Sequence, residues 1–339
     1  MRYYGGKTKL LSFIEYAVDS LNLQANASFF DVFSGTAVVG KHFKAKGYTV
    51  FSNDFLEFAY SIASTFIEIN SEPKFEGLGL SSHPIDYLNS LEGCAGFLTK
   101  NYSPYQGCER MYLSVNNAMK VDVIRENIED WHSRNQISTQ ERNYLITSVI
   151  EAINLRSNVA GTYAAFLKKW DSRALKPIVL NKPSIIPSIE TNRVFKEDAN
   201  KVVRNHSVDL LYLDPPYNSR QYASNYFFLE LVAEGWFGNS PQIYGLSGMR
   251  PYDQQKSAYS SSRSASLALQ DLVDNANAKY ILLSYNNEGL IPHDEIKRIL
   301  ARRGAVTEFS IDHKRYRAIN QDGTNIKTRE SLFSLKVEK

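Results

Sequence analysis

The chain contains, at residues 208–217, the stretch VDLLYLDPPY, from which most of the fold can be worked out. Apolar side chains dominate the part before Asp214, which predicts a buried β-strand. The two prolines that follow can neither extend a β-ladder nor lie within a helix, so the strand must end in a rigid turn. That turn would hold Asp214 and Tyr217 in a fixed relation to each other.

The groups in this turn suit a planar amine. The Asp214 carboxylate and a backbone carbonyl without a local donor can accept the two amine hydrogens. The Tyr217 ring can stack on the ring system that bears the amine. The alternative interpretation is a proline-rich turn with an incidental tyrosine.

Strands and helices alternate along the chain on both sides of this stretch. Apolar patterns predict strands at residues 28–33, 48–52, 194–198, 208–213 and 280–285, and helices at 10–21, 38–45, 57–69, 222–234 and 294–303. This alternation is typical of an α/β fold with a mostly parallel sheet and crossover helices. Two last strands, at 305–311 and 331–337, have no helix between them, which predicts an antiparallel hairpin at the sheet edge.

The alternation is interrupted between residues 71 and 190. This segment mixes loop-like stretches with helical patterns, and prolines mark its end. We therefore predict an inserted, mainly helical domain at 71–190. The larger domain would consist of residues 1–70 and 191–339.

Aspartates stand at the ends of the predicted parallel strands, namely Asp31, Asp54, Asp198 and Asp214. Ligands of doubly wound sheets bind outside the carboxyl ends of the strands, so these side chains mark a candidate ligand site. Gly35, in the turn after the first strand, permits a close approach of the backbone to a ligand. A carboxylate at Asp54 is well placed to bind ribose hydroxyls. Any one aspartate could instead be a helix N-cap, but their corresponding positions favour a shared site.

Composition narrows the class of protein. The chain has 339 residues, of which 43% are hydrophobic, enough to bury a substantial core in one or two domains. No apolar run approaches the roughly 20 residues that span a membrane, and the first residues are not those of a signal peptide. Cys94 and Cys108 lack histidines at ligand spacing, so we expect no metal site and reduced thiols in a cytoplasm. A net charge of +3 says little about partners.

Taken together, these motifs resemble those of the DNA adenine methyltransferases of the alpha group, which includes the bacterial GATC adenine methylase. The chain is similar to that family in an N-terminal aromatic and Gly-Gly-Lys motif (Tyr3 to Lys7), a cofactor loop (Asp31 to Thr36) and a catalytic motif (Asp214 to Tyr217). Asp54 matches the family's ribose-binding acid, and Asp198 matches the acid near the cofactor's adenine. The insert lies where the alpha group carries its target-recognition region.

The resemblance implies a Rossmann-like methyltransferase fold, S-adenosylmethionine as the methyl donor and no metal. It implies a catalytic group formed by Asp214, Pro215, Pro216 and Tyr217. It implies a cofactor site formed by Tyr3, Lys7, Asp31, Phe33, Ser34, Gly35, Thr36, Asp54, Asp198 and Asp214. The implied reaction is direct methyl transfer to the N6 amine of an adenine turned out of double-stranded DNA.

One position departs from the family pattern. Ala37 stands where relatives often have a second glycine. Because alanine is nearly as small, we expect a slightly shifted loop that still binds the cofactor.

Candidate DNA contacts are spread over several segments. One segment of the insert mixes polar, aromatic and basic side chains, as groove-reading segments do, and basic residues elsewhere suit phosphates. The candidates are Arg156, Asn158, Tyr163, Lys168, Lys169, Arg220, Lys314 and Arg315. The alternative for each basic residue is a solvated surface charge.

Three other functions stay open. The family's cytosine N4 enzymes usually carry Ser-Pro-Pro-Trp, and its glutamine and many RNA enzymes carry Asn-Pro-Pro-Tyr, so Asp214 with Tyr217 favours adenine in DNA. A catalytically inactive DNA-binding module would not need the full set of aspartates. A dinucleotide-dependent dehydrogenase would need a Gly-x-Gly-x-x-Gly loop after the first strand, which this chain lacks. We therefore expect the modification enzyme of a restriction-modification system, with double-stranded DNA and a cognate restriction endonuclease as partners.

Overall fold

The computed structural model describes residues 6–24, 26–319 and 325–338, and at 313–319 and 325–328 it describes the main chain alone. The strands of the described chain are β1 (Ser28–Asp31), β2 (Thr49–Asn53), β3 (Arg193–Phe195), β4 (Val208–Leu213), β5 (Ala278–Asn286), β6 (Val306–Ile319) and β7 (Asn325–Lys336). Its α-helices are α1 (Leu11–Asp19), α2 (Val38–Ala45), α3 (Glu57–Ala63), α4 (Pro84–Ser90), α5 (Phe97–Tyr102), α6 (Val115–Ser133), α7 (Thr139–Arg156), α8 (Ala199–Asn205), α9 (Tyr222–Asn225), α10 (Phe227–Glu234), α11 (Ala265–Asn275) and α12 (His293–Leu300).

The strands form one sheet in the order β3-β2-β1-β4-β5-β7-β6. Strands β1 to β5 are parallel, whereas β7 runs antiparallel to both β5 and β6. This confirms the predicted α/β fold with a mostly parallel sheet and an antiparallel edge hairpin. The strand order reverses between β1 and β4, which is where a doubly wound sheet opens a crevice for a ligand.

Strand β1 is apolar because side chains from both of its faces are buried. Phe29 stacks on Phe43 of α2 with ring centroids 4.2 Å apart. Phe30, the next residue, points to the opposite face and packs in a core that includes Val202 of α8 and Leu272 of α11. Each such fully buried side chain stabilises the fold by about 1.5–3 kcal/mol.

Contacts within the chain define two compact units, which we name the sheet unit and the helical unit. The sheet unit consists of Lys7–Phe55, Ser188–Gln221 and Lys256–Lys339. The helical unit includes Leu56–Pro187 and Tyr222–Gln255 and contains α3 to α7, α9 and α10. The regular secondary structure that the coordinates describe between residues 71 and 190 is entirely helical. The role of this segment in target recognition stays a prediction.

Aromatic side chains form the centre of the helical unit. The Phe228 ring stacks on Tyr112 at 5.3 Å and on Tyr163 at 5.4 Å. Buried tyrosines need partners for their hydroxyl groups, and for Tyr102 and Tyr112 these are backbone carbonyls. Tyr112 donates to the Tyr163 carbonyl at 2.9 Å, and Tyr102 donates to the Gly248 carbonyl at 2.7 Å.

Several elements differ from those predicted. The helix expected at 57–69 is α-helical only to Ala63 and continues as a π-helical turn, Ser64–Glu68. The helix expected at 222–234 is divided at Tyr226, whose φ of −121° leaves the helical region. Helix α11 is not predicted because the serine-rich run before it, SSSRS at 260–264, is typical of a loop. Strands β6 and β7 extend beyond the predicted hairpin through charged residues that do not indicate a strand.

Candidate active site

Side chains at the carboxyl ends of β1, β2 and β4 meet at one edge of the sheet. Asp31 ends β1 and is aligned with Ser52 of β2 and Tyr212 of β4. Asp54 follows β2, and Asp214 follows β4. Because these strands are parallel and adjacent, the three aspartates lie close enough for their charges to interact.

The loop after β1 is attached to the end of β2. The Ser34 N–H donates to the Asn53 carbonyl at 2.9 Å, and the Gly35 N–H donates to Asp54 Oδ2 at 3.0 Å. Gly35 has a φ of +51°, a conformation that glycine adopts without steric cost. Ser34 is 7% exposed, and within the described chain its Oγ has no hydrogen-bond partner. The loop therefore combines a glycine in the left-handed conformation with a buried polar atom.

Ala37, immediately before α2, is the departure from the family pattern and has a φ of +55°. This left-handed conformation costs a non-glycine residue about 1–2 kcal/mol, which explains a preference for glycine here. We expect Ala37→Val to lower the free energy of unfolding by about 2–3 kcal/mol, because a β-branched side chain adds backbone strain and overpacks a buried position. Urea unfolding measures the change.

The matched control is Ala37→Gly. Loss of a buried methyl group and relief of backbone strain should nearly cancel, so the free energy of unfolding should change by no more than about 1 kcal/mol. Equal destabilisation by valine and glycine would contradict the conformational argument.

Asn53, at the end of β2, connects the segments that follow β1 and β3. Its amide donates to the carbonyls of Val32 at 3.2 Å and Glu197 at 3.1 Å, and its Oδ1 accepts the Glu197 N–H at 3.0 Å. The residue is 1% exposed. The sequence pattern does not predict this role, although an amide at a buried strand end directly before Asp54 is a signal for it.

Asp198 is the N-cap of α8. Its Oδ1 accepts the N–H groups of Asn200 at 3.0 Å and Lys201 at 3.2 Å. This is the alternative that the sequence leaves open for an aspartate at a strand end. The side chain is exposed, and a contact between Asp198 and a cofactor stays a prediction.

The Asp-Pro-Pro-Tyr turn is held in place through Tyr217. The Tyr217 carbonyl accepts the Leu290 N–H at 2.9 Å, and its ring lies edge-on to Tyr285 with centroids 6.3 Å apart. Lys7 Nζ lies 5.9 Å from the centre of the Tyr217 ring. The same ammonium lies 3.1 Å from Asp214 Oδ1, so the carboxylate and the ring of the motif share a cationic neighbour.

Lys7 lies between two carboxylates, Asp214 and Glu330 of β7. Lys7 donates a hydrogen bond to Glu330, which also accepts one from Ser284 Oγ at 2.8 Å. Burial by itself would lower the pKa of Lys7, but the two carboxylates outweigh burial and raise it, so the ammonium stays charged. Glu330 is 3% exposed and is a site residue that the sequence does not reveal.

The carboxyl groups at the sheet edge have different charge states. Burial raises the pKa of Asp214 to about 6, while Lys7 opposes this shift and Glu330 adds to it. Burial and then the neighbouring Asp214 carboxylate raise the pKa of Asp31 to about 8. At neutral pH Asp31 therefore retains its proton, whereas Asp214 is largely ionised and can accept hydrogen bonds.

Two of the predicted DNA contacts lie inside the helical unit. Asn158 is fully buried and bonds the Leu167 carbonyl and the Asp171 N–H, each at 2.9 Å. Tyr163 is also fully buried, and its ring packs on Phe228. Both side chains organise the segment from within, which its mixed composition does not indicate. A direct contact of either with DNA stays a prediction.

The basic candidates are placed differently. Lys168 and Lys169 are exposed in the helical unit, and Arg220 is exposed in the sheet unit. Arg156 Nε donates to the Pro177 carbonyl at 3.0 Å. A role for these side chains in DNA binding stays a prediction.

Four further residues also belong to the predicted sites. Tyr3 lies outside the described residues, as do the side chains of Lys314 and Arg315, whose main chain belongs to β6. Phe33, in the loop after β1, packs edge-on against Tyr259 with centroids 5.0 Å apart.

Within the described part of the chain, no histidine, cysteine, aspartate and glutamate side chains are grouped to hold a metal ion. Cys94 and Cys108 are free thiols. A search of the described residues finds no helix with both the length and the apolar character to cross a membrane.

Comparison with known proteins gives consistent matches. The family model described as D12 class N6 adenine-specific DNA methyltransferase matches residues 3–299. Type II methyltransferase M.FokI of Planomicrobium okeanokoites is 42% identical over 94% of this chain, and modification methylase StsI of Streptococcus sanguinis is 43% identical over 92%. The matches cover 49% and 47% of those two proteins, so the chain spans about half their length. Type II methyltransferase M.NlaIII of Neisseria lactamica is 30% identical over 99% of this chain and 98% of its own length.

Proposed function

Because the chain belongs to the D12 class N6 adenine-specific DNA methyltransferases, we propose that it transfers a methyl group from S-adenosylmethionine to the N6 amine of adenine in double-stranded DNA. The observation that carries this proposal is the Asp214 carboxylate, which follows β4 in a rigid turn with Tyr217 and is only 16% exposed. A buried acceptor beside an aromatic ring suits a flat base that bears an amine.

The loop after β1 fits S-adenosylmethionine. Ser34 Oγ is a buried polar atom that has no partner in the described chain, and a polar ligand can satisfy it. Gly35 permits close approach of the backbone, and we propose that Asp54, whose carboxylate accepts the Gly35 N–H, binds the ribose hydroxyls. We propose that the rest of the cofactor site consists of Tyr3, Lys7, Asp31, Phe33, Thr36, Asp198 and Asp214. The bound cofactor supplies a methyl group already activated on a sulfonium, so the transfer requires no metal.

The residues of the turn activate the acceptor. The adenine amine is a weak nucleophile because its lone pair delocalises into the ring. Asp214 and the Pro215 carbonyl accept its two hydrogens, which draws the nitrogen towards tetrahedral geometry and localises the lone pair. Stacking on Tyr217 returns about 1–3 kcal/mol of the cost of turning the base out of the duplex.

Asp214 is also suited to accept the proton that the methylated amine must lose. The nitrogen lone pair forms the new N–C bond, the electrons of the C–S bond stay on sulfur, and the nitrogen becomes positively charged. A carboxylate with a pKa of about 6 can take one proton from this nitrogen and pass it to water. The products would then be neutral N6-methyladenine and the thioether that remains of the methyl donor.

We expect the acidic limb of the pH profile of kcat/KM to reflect the ionisation of Asp214. The acceptor form is the ionised one, so kcat/KM should fall about tenfold for each pH unit below the pKa of about 6. Initial rates of methyl transfer across this range measure the limb, with circular dichroism at each pH as the control for folding. A limb at the ordinary pKa of a solvated aspartate would contradict the expected burial.

We propose that the helical unit, which holds most of the insert at 71–190, recognises the target sequence. Exposed Lys168 and Lys169 suit phosphate contacts, as do Arg156 and Arg220. Lys314 and Arg315 of β6 are proposed as further DNA contacts. The names of the relatives, type II methyltransferase and modification methylase, support a place in a restriction-modification system with an endonuclease for the same site.

Expression in a host without DNA methylation, followed by sequencing that detects N6-methyladenine, tests this function. Methyladenine at one recurring sequence supports the proposal, and the matched control is the Asp214→Ala chain expressed at the same level. Methylcytosine, or methylation of RNA alone, would assign a different acceptor. A folded chain that binds S-adenosylmethionine and modifies no nucleic acid would overturn the proposal.

A further inference from the structure

We propose that Glu330 is a positioning residue that sets the charge balance around Asp214 through Lys7. This inference rests on the proposed methyl transfer. Glu330 lies beyond residues 3–299, where the family model matches.

The position of Glu330 is fixed by the sheet. Its main chain in β7 is paired with Asn286 of β5 on one side and with Ile311 of β6 on the other. Its carboxylate accepts hydrogen bonds from Lys7 and Ser284. Because both the main chain and the carboxylate are held, Glu330 sets where the Lys7 ammonium lies.

Among the residues that the structure describes, three charged side chains meet at this point. Lys7 is positive, and Asp214 and Glu330 are negative, so together they carry one net negative charge. Asp31 retains its proton at neutral pH, and burial raises the pKa of Tyr212 well above its ordinary value. Tyr217 contributes its ring to the same ammonium.

This balance matters because the amine nitrogen gains positive charge as the methyl group arrives. An ammonium 3.1 Å from Asp214 would by itself cancel the carboxylate and oppose that charge. Glu330 pairs with the same ammonium, so the three charged groups together keep a net negative charge. Lys7 can then hold Asp214 in place without removing its ability to stabilise the transition state.

Glu330→Gln is the decisive variant, because it removes the charge and keeps the size and the acceptor for Ser284. We expect kcat to fall about 10- to 100-fold with little change in KM. Glu330 contributes to the raised pKa of Asp214, so its loss should move the acid limb of kcat/KM to lower pH. A merely structural role would reduce activity without moving the limb.

Two further variants serve as controls. Glu308→Gln is the same change on neighbouring β6, where Glu308 faces Lys297 at 2.7 Å, and it should leave both kcat and the limb unchanged. Glu330→Asp keeps the charge, so the acid limb of its kcat/KM profile should lie at the same pH as in the unaltered chain. Unchanged kcat and an unmoved limb in Glu330→Gln would overturn the inference, as would identical limbs in the Gln and Asp variants.

A measurement without cofactor or DNA separates this inference from the proposed function. Carbon-13 NMR of the chain labelled at aspartate carboxyls gives the pKa of Asp214, with the signal assigned by its loss in Asp214→Asn. A lower pKa in Glu330→Gln supports the inference even if the unaltered chain methylates no DNA, and that failure would then count against the proposed function alone. An unchanged pKa overturns the inference. If the Gln variant does not fold, Glu330→Met, which also removes the charge and has a side chain of similar length, should give a shift in the same direction, and no shift would be contrary evidence.

Discussion

Asp214→Ala is expected to lower kcat for methyl transfer by about 10³- to 10⁴-fold, the largest effect of any single substitution in this chain. The change removes both the acceptor that orients the amine and the base that takes its proton. Folding should be preserved, because burial raises the pKa of Asp214 to about 6, so the carboxylate that predominates at neutral pH destabilises the folded state relative to the unfolded one. Lys7 keeps its second carboxylate, Glu330.

Transfer of labelled methyl groups to DNA measures this loss, and thermal melting followed by circular dichroism monitors folding. The matched control is Asp274→Ala, which removes a carboxylate paired with Arg302 in the same unit and should retain full activity. Asp214→Asn should remain strongly impaired because the amide has lost the charge. Substantial methylation by a well-folded Asp214→Ala chain would refute the assigned role.

Asp122→Ala is expected to lower the free energy of unfolding by about 3–5 kcal/mol, the largest effect on stability. Asp122 lies in α6, is fully buried, and accepts the N–H groups of Gly96, Leu98 and Thr99 at 2.8–3.0 Å. It also accepts the Thr99 hydroxyl at 2.6 Å. Because these donors lie at the start of α5, alanine would leave the end of that helix buried and unsatisfied.

Urea unfolding at equilibrium gives the change in free energy. Asp130→Ala is the control on the same helix, since its carboxylate pairs with Arg134 at the surface and should contribute less than about 1 kcal/mol. Asp122→Asn keeps one oxygen acceptor, so its free energy of unfolding should lie between those of the Asp122→Ala and Asp130→Ala chains. Equal stability of the Asp122→Ala and Asp130→Ala chains would show that the buried hydrogen bonds contribute little.

Much of the sheet edge follows from local sequence. Apolar strands that end in Asp31 and Asp214, with a helix after each turn, require parallel pairing, and parallel pairing places those ends together. The hairpin of β6 and β7 follows from the absence of a helix between two strands. These predictions succeed because hydrophobic period and chain connectivity are both local properties.

Other features depend on which side chains meet across the fold, and local patterns do not contain that information. Glu330 stands in a strand among polar residues, with no neighbour in sequence that marks it. Asn158 and Tyr163 lie in a segment whose composition suits DNA, yet packing and hydrogen bonds bury both. The Tyr163 ring, for example, packs on Phe228, which is distant in sequence.

The hydrogen bond between Lys7 and Glu330 joins positions 323 residues apart, and this has a consequence for the order of folding. Local helices and hairpins form early, whereas contacts of long sequence separation require closure of a large loop and form late. Strand β7 must dock between β5 and β6 before Glu330 can reach Lys7. We therefore expect refolding chains to regain the circular dichroism of the sheet before they regain methyl transfer, with activity reporting the final closure.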